Sequence, residues 1–202
     1  IALGLREGDR LIRVTLTDGK SQMLVASYNG KVVRFPEDTV RPMGRTATGV
    51  RAIKLDEDGK DRVVGMICVE EGSKDTVLVI SDKGYGKRTL LDDETGEPIY
   101  RITNRGGKGV KTMNLTDKTG NLIGMEAVND DQDLMLITKS GTAIRMDMSS
   151  ISVLGRATQG VKLIELQKRN DTLMFGCVVP KEETEEATAE ELTAEETTTT
   201  EE

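Results

Sequence analysis

The sequence contains no histidine and no tryptophan among its 202 residues, and it has only two cysteines. Without histidine, neither a Ser-His nor a Cys-His nucleophile pair can form. Two cysteines without histidine also cannot supply the ligands of a usual structural zinc site. Because Cys68 and Cys177 lie in apolar, strand-like runs, we expect buried free thiols in a reducing cytoplasm rather than a disulfide.

Long apolar runs and known site motifs are missing as well. No stretch approaches the ~18 apolar residues of a membrane span, and no signal-peptide pattern is present. Valine rather than glycine precedes Lys111-Thr112, which breaks the Walker A spacing of G-G-K-G-V-K-T. The acidic cluster at residues 129–133 lacks the spacing and the glycine of an EF-hand. We therefore expect no catalytic residue, no metal site and no cofactor in this chain.

Charge is distributed unevenly along the chain, whose net charge is −7. Residues 181–202 contain ten Glu and one Lys, whereas the other 180 residues hold 27 Lys and Arg against 25 Asp and Glu. The acidic segment cannot bury enough apolar surface to offset the entropy of ordering it, so we expect a disordered tail. It either solubilises the protein or competes in cis for the basic body, whose charge indicates a polyanion partner.

Three cationic, glycine-bearing loops recur, and each leads into a Gly-Val-basic strand start at Gly49, Gly109 or Gly160. Glycine lets backbone N–H groups approach an anion, and arginine and lysine add charge-assisted hydrogen bonds. We therefore predict phosphate-binding loops whose DNA-contacting residues are Arg41, Arg45, Arg51, Arg101, Arg105, Gly106, Gly107, Lys108, Gly109, Lys111, Arg156 and Lys162. The alternative is that the glycines only start strands and the cations form a solvated surface.

Internal repetition predicts an all-β fold. A glycine precedes an arginine by four residues three times, at Arg34, Arg88 and Arg145, and each arginine lies 15 or 21 residues before its loop glycine. The longer middle copy has six extra residues, which the polar stretch 92–98 can hold as a surface loop. Short β-branched runs alternate with turn dipeptides, at residues 23–27, 31–35, 50–55 and 62–66 in the first full copy. Four short strands in each repeat are typical of blades in a propeller-like array.

The repeats set the expected boundaries of the domain. We assign the body to residues 1–180, with a half blade at 1–22, full blades at 23–75, 76–133 and 134–180, and the acidic tail at 181–202. Because residue 1 falls inside a strand-like run, we expect the chain to be a piece of a longer protein. A set of unrelated small barrels is the rival arrangement.

One cationic loop per blade would place a line of cations along one rim. Such a line fits the backbone of duplex DNA, where phosphate neutralisation supplies affinity without reading the base sequence. Single-stranded nucleic acid fits less well, because stacking needs exposed aromatic residues and the chain has only two Phe and three Tyr. The composition favours bent or wrapped duplex DNA held by backbone contacts.

These motifs resemble the C-terminal DNA-wrapping domain family of the DNA gyrase A protein. The resemblance covers residues 1–180 and is carried mainly by V-V-R-F at 32–35, T-G-V-R at 48–51, G-Y-G-K-R-T at 84–89 and G-R-A-T-Q-G-V at 155–161. It implies a β-pinwheel, a propeller-like disc of six blades in the full domain, with strands exchanged between neighbours. Such a disc bends duplex DNA around its basic rim and supports ATP-dependent negative supercoiling.

The resemblance also implies partners outside this chain, namely the N-terminal region of gyrase A and the gyrase B protein in an A2B2 complex. ATP, Mg²⁺ and the cleavage tyrosine would belong to those parts. The family's hallmark box reads Q, Arg/Lys, R-G-G, Arg/Lys, G and lies in the first blade, whereas T-N-R-G-G-K-G at residues 103–109 matches five of its seven positions in a later blade. We interpret residues 105–109 as a repeat relative of the box and expect the box itself upstream.

Three other interpretations stay open. The paralogous C-terminal domain of topoisomerase IV is the nearest, and it lacks a true box. A propeller-like scaffold for protein interactions belongs to a different functional class. An enzyme is the least favoured, because the chain has no histidine.

Overall fold

The structure is a computed structural model that describes residues 3–57, 59–166 and 170–181. In those ranges the regular elements are eleven short strands and two 3₁₀ turns, Glu37–Thr39 and Met148–Ser150. The predicted all-β class is confirmed. The strands form because short β-branched runs alternate with tight turns, as at Gly30, whose φ of +76° suits the turn between the first two strands.

The strands are arranged in three antiparallel sheets, one for each full repeat. The first sheet holds, in spatial order, β3 (Val63–Val69), β1 (Gln22–Ser27), β2 (Lys31–Pro36) and β6 (Val110–Lys111). The second holds β10 (Val161–Lys162), β5 (Tyr85–Leu90), β4 (Thr76–Ser81) and β7 (Leu122–Val128). The third holds β11 (Leu173–Pro180), β8 (Gln132–Thr138) and β9 (Ala143–Asp147).

The outermost strand of each four-stranded sheet comes from the following repeat. Strand β6 pairs with β2 through Val110 opposite Val32, and β10 pairs with β5 through Val161 opposite Gly86. Each of these two sheets is therefore completed by a strand from the cationic loop of the next repeat. The strand exchange that the family resemblance implies is present.

The inner edges of the sheets pack together, with β7 lying between β3 and β11. One buried cluster, which includes Leu24, Val79 and Met125, joins the first and second sheets. Another, which includes Ile80 and Leu136, joins the second and third. These two cores therefore lie between consecutive blades, and the exchanged strands lie at the outer edge.

Two predicted strand regions differ from the observed structure. Residues 50–55 form no strand, because no sheet of the described residues pairs with them as the first and second sheets pair with β6 and β10. Ile53 makes an isolated bridge to Gly107. Residues 3–20, in the predicted half blade 1–22, also contain no strand, and Val14 and Leu16 are exposed. That segment is held instead by a two-bonded ion pair between Arg13 and Glu126, with both N–O distances at 3.0 Å.

The remaining sequence predictions have mixed outcomes. Residues 23–27, 31–35 and 62–66 lie in or overlap the observed strands β1, β2 and β3, and residues 92–98 form an exposed turn closed by a bridge between Asp92 and Pro98.

Cys68 and Cys177 are free thiols, as predicted, but they are half-buried because they lie on the edge strands β3 and β11. No helix in the described ranges is long and apolar enough to cross a membrane. The predicted acidic tail lies outside the described residues apart from Lys181, which pairs with Asp147.

Candidate nucleic-acid interface

The three cationic loops form a continuous band along the outer edge of the sheets, because the second and third loops end in the exchanged strands β6 and β10 and the first loop runs on into a segment that is hydrogen-bonded to the second loop. Consecutive loops are joined by backbone hydrogen bonds. The N–H of Lys54 donates to the carbonyl of Gly107 at 2.8 Å, and the N–H of Asn114 donates to the carbonyl of Thr158 at 2.9 Å. We call residues 41–51, 101–111 and 156–162 the cationic rim.

Five of the predicted DNA-contacting side chains are exposed on this rim and have no hydrogen-bond or ion-pair partner within the described part of the chain. These side chains are Arg41, Arg45, Arg51, Arg101 and Lys108. An exposed guanidinium or ammonium group without a protein partner keeps all its N–H donors for an anion. These five residues are the best candidates for phosphate contacts.

Other predicted cations are already engaged by the protein. Arg105 donates from Nε to the carbonyl of Thr39 at 3.1 Å, and Arg156 donates from Nη1 to the carbonyl of Lys111 at 2.7 Å. Each bond ties one repeat to another and leaves other guanidinium N–H groups available. Lys162 lies 2.6 Å from the carboxylate of Glu165, which raises the pKa of Lys162 and offsets its charge.

The second loop surrounds a hollow of about 160 Å³ on the rim. Arg101 and Lys108 line it together with Thr103, Asn104 and Gly107. The hollow thus combines two exposed cations with hydroxyl, amide and backbone groups, which is the donor chemistry that binds a phosphate oxygen. Lys111 lies outside it, and its ammonium group is 3.3 Å from Oδ1 of Asn114.

The glycines that start the exchanged strands have a structural role. A Cβ atom at Gly109 would lie 2.6 Å from the carbonyl oxygen of Val32, and one at Gly160 would lie 2.6 Å from that of Gly86. Both glycines also have φ values near +75°, which disfavour other residues. The strand-start interpretation is therefore correct for Gly109 and Gly160. Gly106 and Gly107 lie in the loop itself, against the segment that carries Arg51.

Sequence reasoning missed Lys87, which holds the third loop in place from inside the second sheet. Its side chain is fully buried, and Nζ donates to the carbonyls of Gly155 and Arg156 at 2.5 and 2.7 Å and to the Thr158 hydroxyl at 3.0 Å. The available signal was the repeat alignment, in which Lys87 occupies the position of Val33 and Ile144. A lysine at an otherwise apolar position indicates a buried polar contact.

Lys87 should make stability depend on pH. Burial, with a smaller contribution from the nearby Arg156 charge, lowers the pKa of Lys87 from 10.5 to about 8. Between pH 8 and pH 10.5, Lys87 is protonated in the unfolded chain but largely neutral in the folded protein. The free energy of unfolding therefore rises with pH. We expect the free energy of unfolding to increase by about 1 kcal/mol between pH 7 and pH 9, measured by urea denaturation. Lys87→Met should remove this increase, and equal pH slopes for the two proteins would contradict the assignment.

Comparison with known proteins places these features in a family. The family model described as "DNA gyrase C-terminal domain, beta-propeller" matches residues 22–70, 75–129 and 132–175. The DNA gyrase A protein of Staphylococcus aureus strain NCTC 8325 / PS 47 is 44% identical over 190 residues, which are 94% of this chain and 20% of that protein. Its counterpart in strain MRSA252 is 47% identical over 166 residues, or 82% of this chain and 18% of that protein. The chain thus spans about a fifth of these relatives' length.

Solved structures show the same fold. The C-terminal domain of DNA gyrase A superposes with a TM-score of 0.74 at 24% identity, covering 88% of this chain and 57% of that one. The C-terminal domain of DNA topoisomerase IV superposes with a TM-score of 0.79 at 21% identity, covering 96% of this chain and 57% of that one. Both confirm the predicted propeller-like blade arrangement.

Proposed function

The chain belongs to the family of DNA gyrase C-terminal β-propeller domains, and on that premise we propose that it binds duplex DNA without sequence specificity and bends it along the cationic rim. The observation that carries this proposal is the set of five exposed, partnerless cations on one continuous band. Backbone phosphates are the regular, sequence-independent ligand for such a band. The hollow between Arg101 and Lys108 is a suitable seat for one phosphodiester group.

The aromatic residues support duplex over single-stranded DNA. Phe35, Tyr85 and Tyr100 are buried, and the ring of Tyr28 lies 3.8 Å from the guanidinium carbon of Arg62. Phe175 is exposed, but it lies on β11, at the inner edge of the third sheet rather than on the rim. The described rim segments carry no aromatic residue, and Tyr100 beside them has a buried ring, so they offer no platform on which unpaired bases could stack.

We further propose that the chain acts as part of a gyrase A protein, in an A2B2 complex with gyrase B that introduces negative supercoils at the expense of ATP. The 44% identity to S. aureus gyrase A favours this assignment over topoisomerase IV, whose structural likeness concerns the fold alone. ATP, Mg²⁺ and strand cleavage belong to the other parts of that complex in this proposal. The chain itself supplies the surface that bends DNA.

Ligation of a nicked plasmid in the presence of the chain tests the bending function. Wrapping traps writhe, so after ligation and protein removal the linking-number distribution should be displaced to one side of the protein-free control, further at higher protein ratios. Raising the salt concentration before ligation should remove the displacement, because phosphate contacts weaken with salt. An undisplaced distribution under conditions where the chain is bound would show that it holds DNA without wrapping it.

A further inference from the structure

The third loop of the cationic rim is held from beneath by strand β5 of the second sheet. Lys87 donates three hydrogen bonds to residues 155–158, two to backbone carbonyls and one to a hydroxyl. Two residues further along, and so on the same face of the strand, the Thr89 hydroxyl donates to the carbonyl of Leu154 at 3.0 Å. Both side chains are fully buried. The loop that carries Arg156 is therefore fixed by side chains of the sheet below it.

The second loop has apolar side chains beneath it instead. Val33 and Phe35 occupy, in β2, the repeat positions of Lys87 and Thr89, and both belong to a buried apolar cluster. A Cβ atom at Gly109, where the second loop meets its exchanged strand, would lie 3.1 Å from the Val33 side chain. Apolar side chains have no donor to offer to a loop carbonyl. The buried ammonium group therefore belongs to one loop rather than to the repeat, which indicates a role specific to the third loop.

Among the described residues, the surroundings of Lys87 leave its charge uncompensated. The charge that acts on it is the guanidinium of Arg156, which has the same sign, and burial lowers the pKa of Lys87 to about 8. The buried phenol of Tyr100 interacts with Thr89 on the same face of β5, and burial raises the pKa of Tyr100, so this group is neutral. A phosphate bound on the third loop would supply the negative charge and favour the protonated form of Lys87.

The protonation state of Lys87 decides how many hydrogen bonds hold the third loop. An ammonium group has three N–H donors, which match the three loop oxygens, whereas a neutral amine has two donors and no charge to strengthen them. Loss of the proton therefore releases at least one loop oxygen. The same segment carries Arg156, whose Nη1 donates to the Lys111 carbonyl at 2.7 Å and so connects the third loop to the second. Loosening the third loop thus weakens the continuity of the rim.

We propose that Lys87 is a positioning residue for duplex DNA: its protonated ammonium group holds the third loop in place for a phosphate, and DNA binding takes up a proton at this residue. This inference rests on the proposed DNA binding and adds a dependence on pH. Affinity for DNA should fall as the pH rises through about 8, because the free protein then holds fewer protons than the complex. The free energy of unfolding changes in the opposite direction over the same range. A purely structural role of Lys87 would make affinity and stability change together.

The affinity of the full chain for a labelled duplex, measured by fluorescence anisotropy at constant salt, tests this coupling. If a bound phosphate raises the pKa of Lys87 by about one unit, affinity should fall about fivefold between about pH 7 and about pH 9. Lys87→Met should bind at about pH 7 as weakly as the unaltered chain binds at about pH 9, and its affinity should stay within about twofold over the range. Lys74→Met makes the same change at an exposed lysine outside the rim, and it should keep the profile of the unaltered chain.

Calorimetry on the unaltered chain gives a second measurement that needs no variant. Titration with duplex DNA near pH 8, in two buffers of different ionisation enthalpy, should show an uptake of about 0.4 proton per bound chain. Binding without proton uptake, or the same pH profile for the unaltered chain and a folded Lys87→Met variant, would overturn the role of Lys87 and leave DNA binding in place. Absence of binding at every pH would overturn DNA binding and this inference together.

Discussion

Replacing Arg51, Arg101 and Lys108 together by alanine is expected to weaken binding to duplex DNA by roughly 100- to 1,000-fold at about 0.1 M salt. Each phosphate contact contributes about 0.9 to the slope of log K against log salt, or nearly tenfold in affinity between about 1 M and 0.1 M. The three side chains are exposed and have no described protein partner, so their removal should leave the fold intact. The triple variant should also flatten the salt slope by about 2.7, measured by fluorescence anisotropy with a labelled duplex.

A variant with the same change of net charge separates rim contacts from general charge attraction. Lys20, Lys74 and Lys139 lie outside the rim, so their triple replacement by alanine should alter affinity by only a few fold. Two duplexes of unrelated sequence should report the same losses, because phosphate contacts do not read bases. If both triple variants lost affinity equally, the net charge rather than the rim would account for binding.

Replacing Gly160 by alanine is expected to lower the free energy of unfolding by about 3 kcal/mol. A left-handed φ costs an alanine about 1 to 2 kcal/mol, and overpacking adds about 1 to 3 kcal/mol. The overlap arises because the new Cβ would lie 2.6 Å from the backbone oxygen of Gly86, which cannot move without disturbing β5. Urea denaturation followed by circular dichroism measures the change.

Gly49→Ala is the matched control for this experiment, since Gly49 has nearly the same φ and an open surrounding. It should lower the free energy of unfolding by only about 1 to 2 kcal/mol, the cost of the left-handed φ alone. The difference between the two variants isolates the packing of the exchanged strand. Equal losses would mean that the φ value alone matters and that the exchanged strand adds little stability.

The sequence predicts the β class and the repeat well, because both depend on local patterns. Strands such as β1 and β2 arise from β-branched runs and a Gly30 turn that can be read directly. The absence of a strand at residues 50–55 could not be predicted in this way. The same Gly-Val-basic pattern forms strands β6 and β10 where a neighbouring sheet receives it, and forms none where the described residues offer no such sheet. Pairing between repeats is a long-range property, and here it was implied only by the family resemblance.

The candidate site was likewise predicted only in part. Sequence reasoning places cations on the right loops, but it does not show which of them the protein itself engages. Arg105 and Lys108 look equivalent in the sequence, yet only Arg105 donates to a backbone carbonyl, that of Thr39. Lys87 was missed because it acts from the sheet beneath the loop rather than from the loop, and proximity across 68 residues appears only in the folded chain.

Binding of the unaltered chain to linear duplex DNA across a range of salt concentrations tests the central claim most directly, namely that the partnerless rim cations bind phosphates. With five such side chains at about 0.9 each, the slope of log K against log salt should be at least as steep as about −4. A flat response, or no binding even at low salt, would contradict the assignment of the cationic rim as the DNA-binding surface.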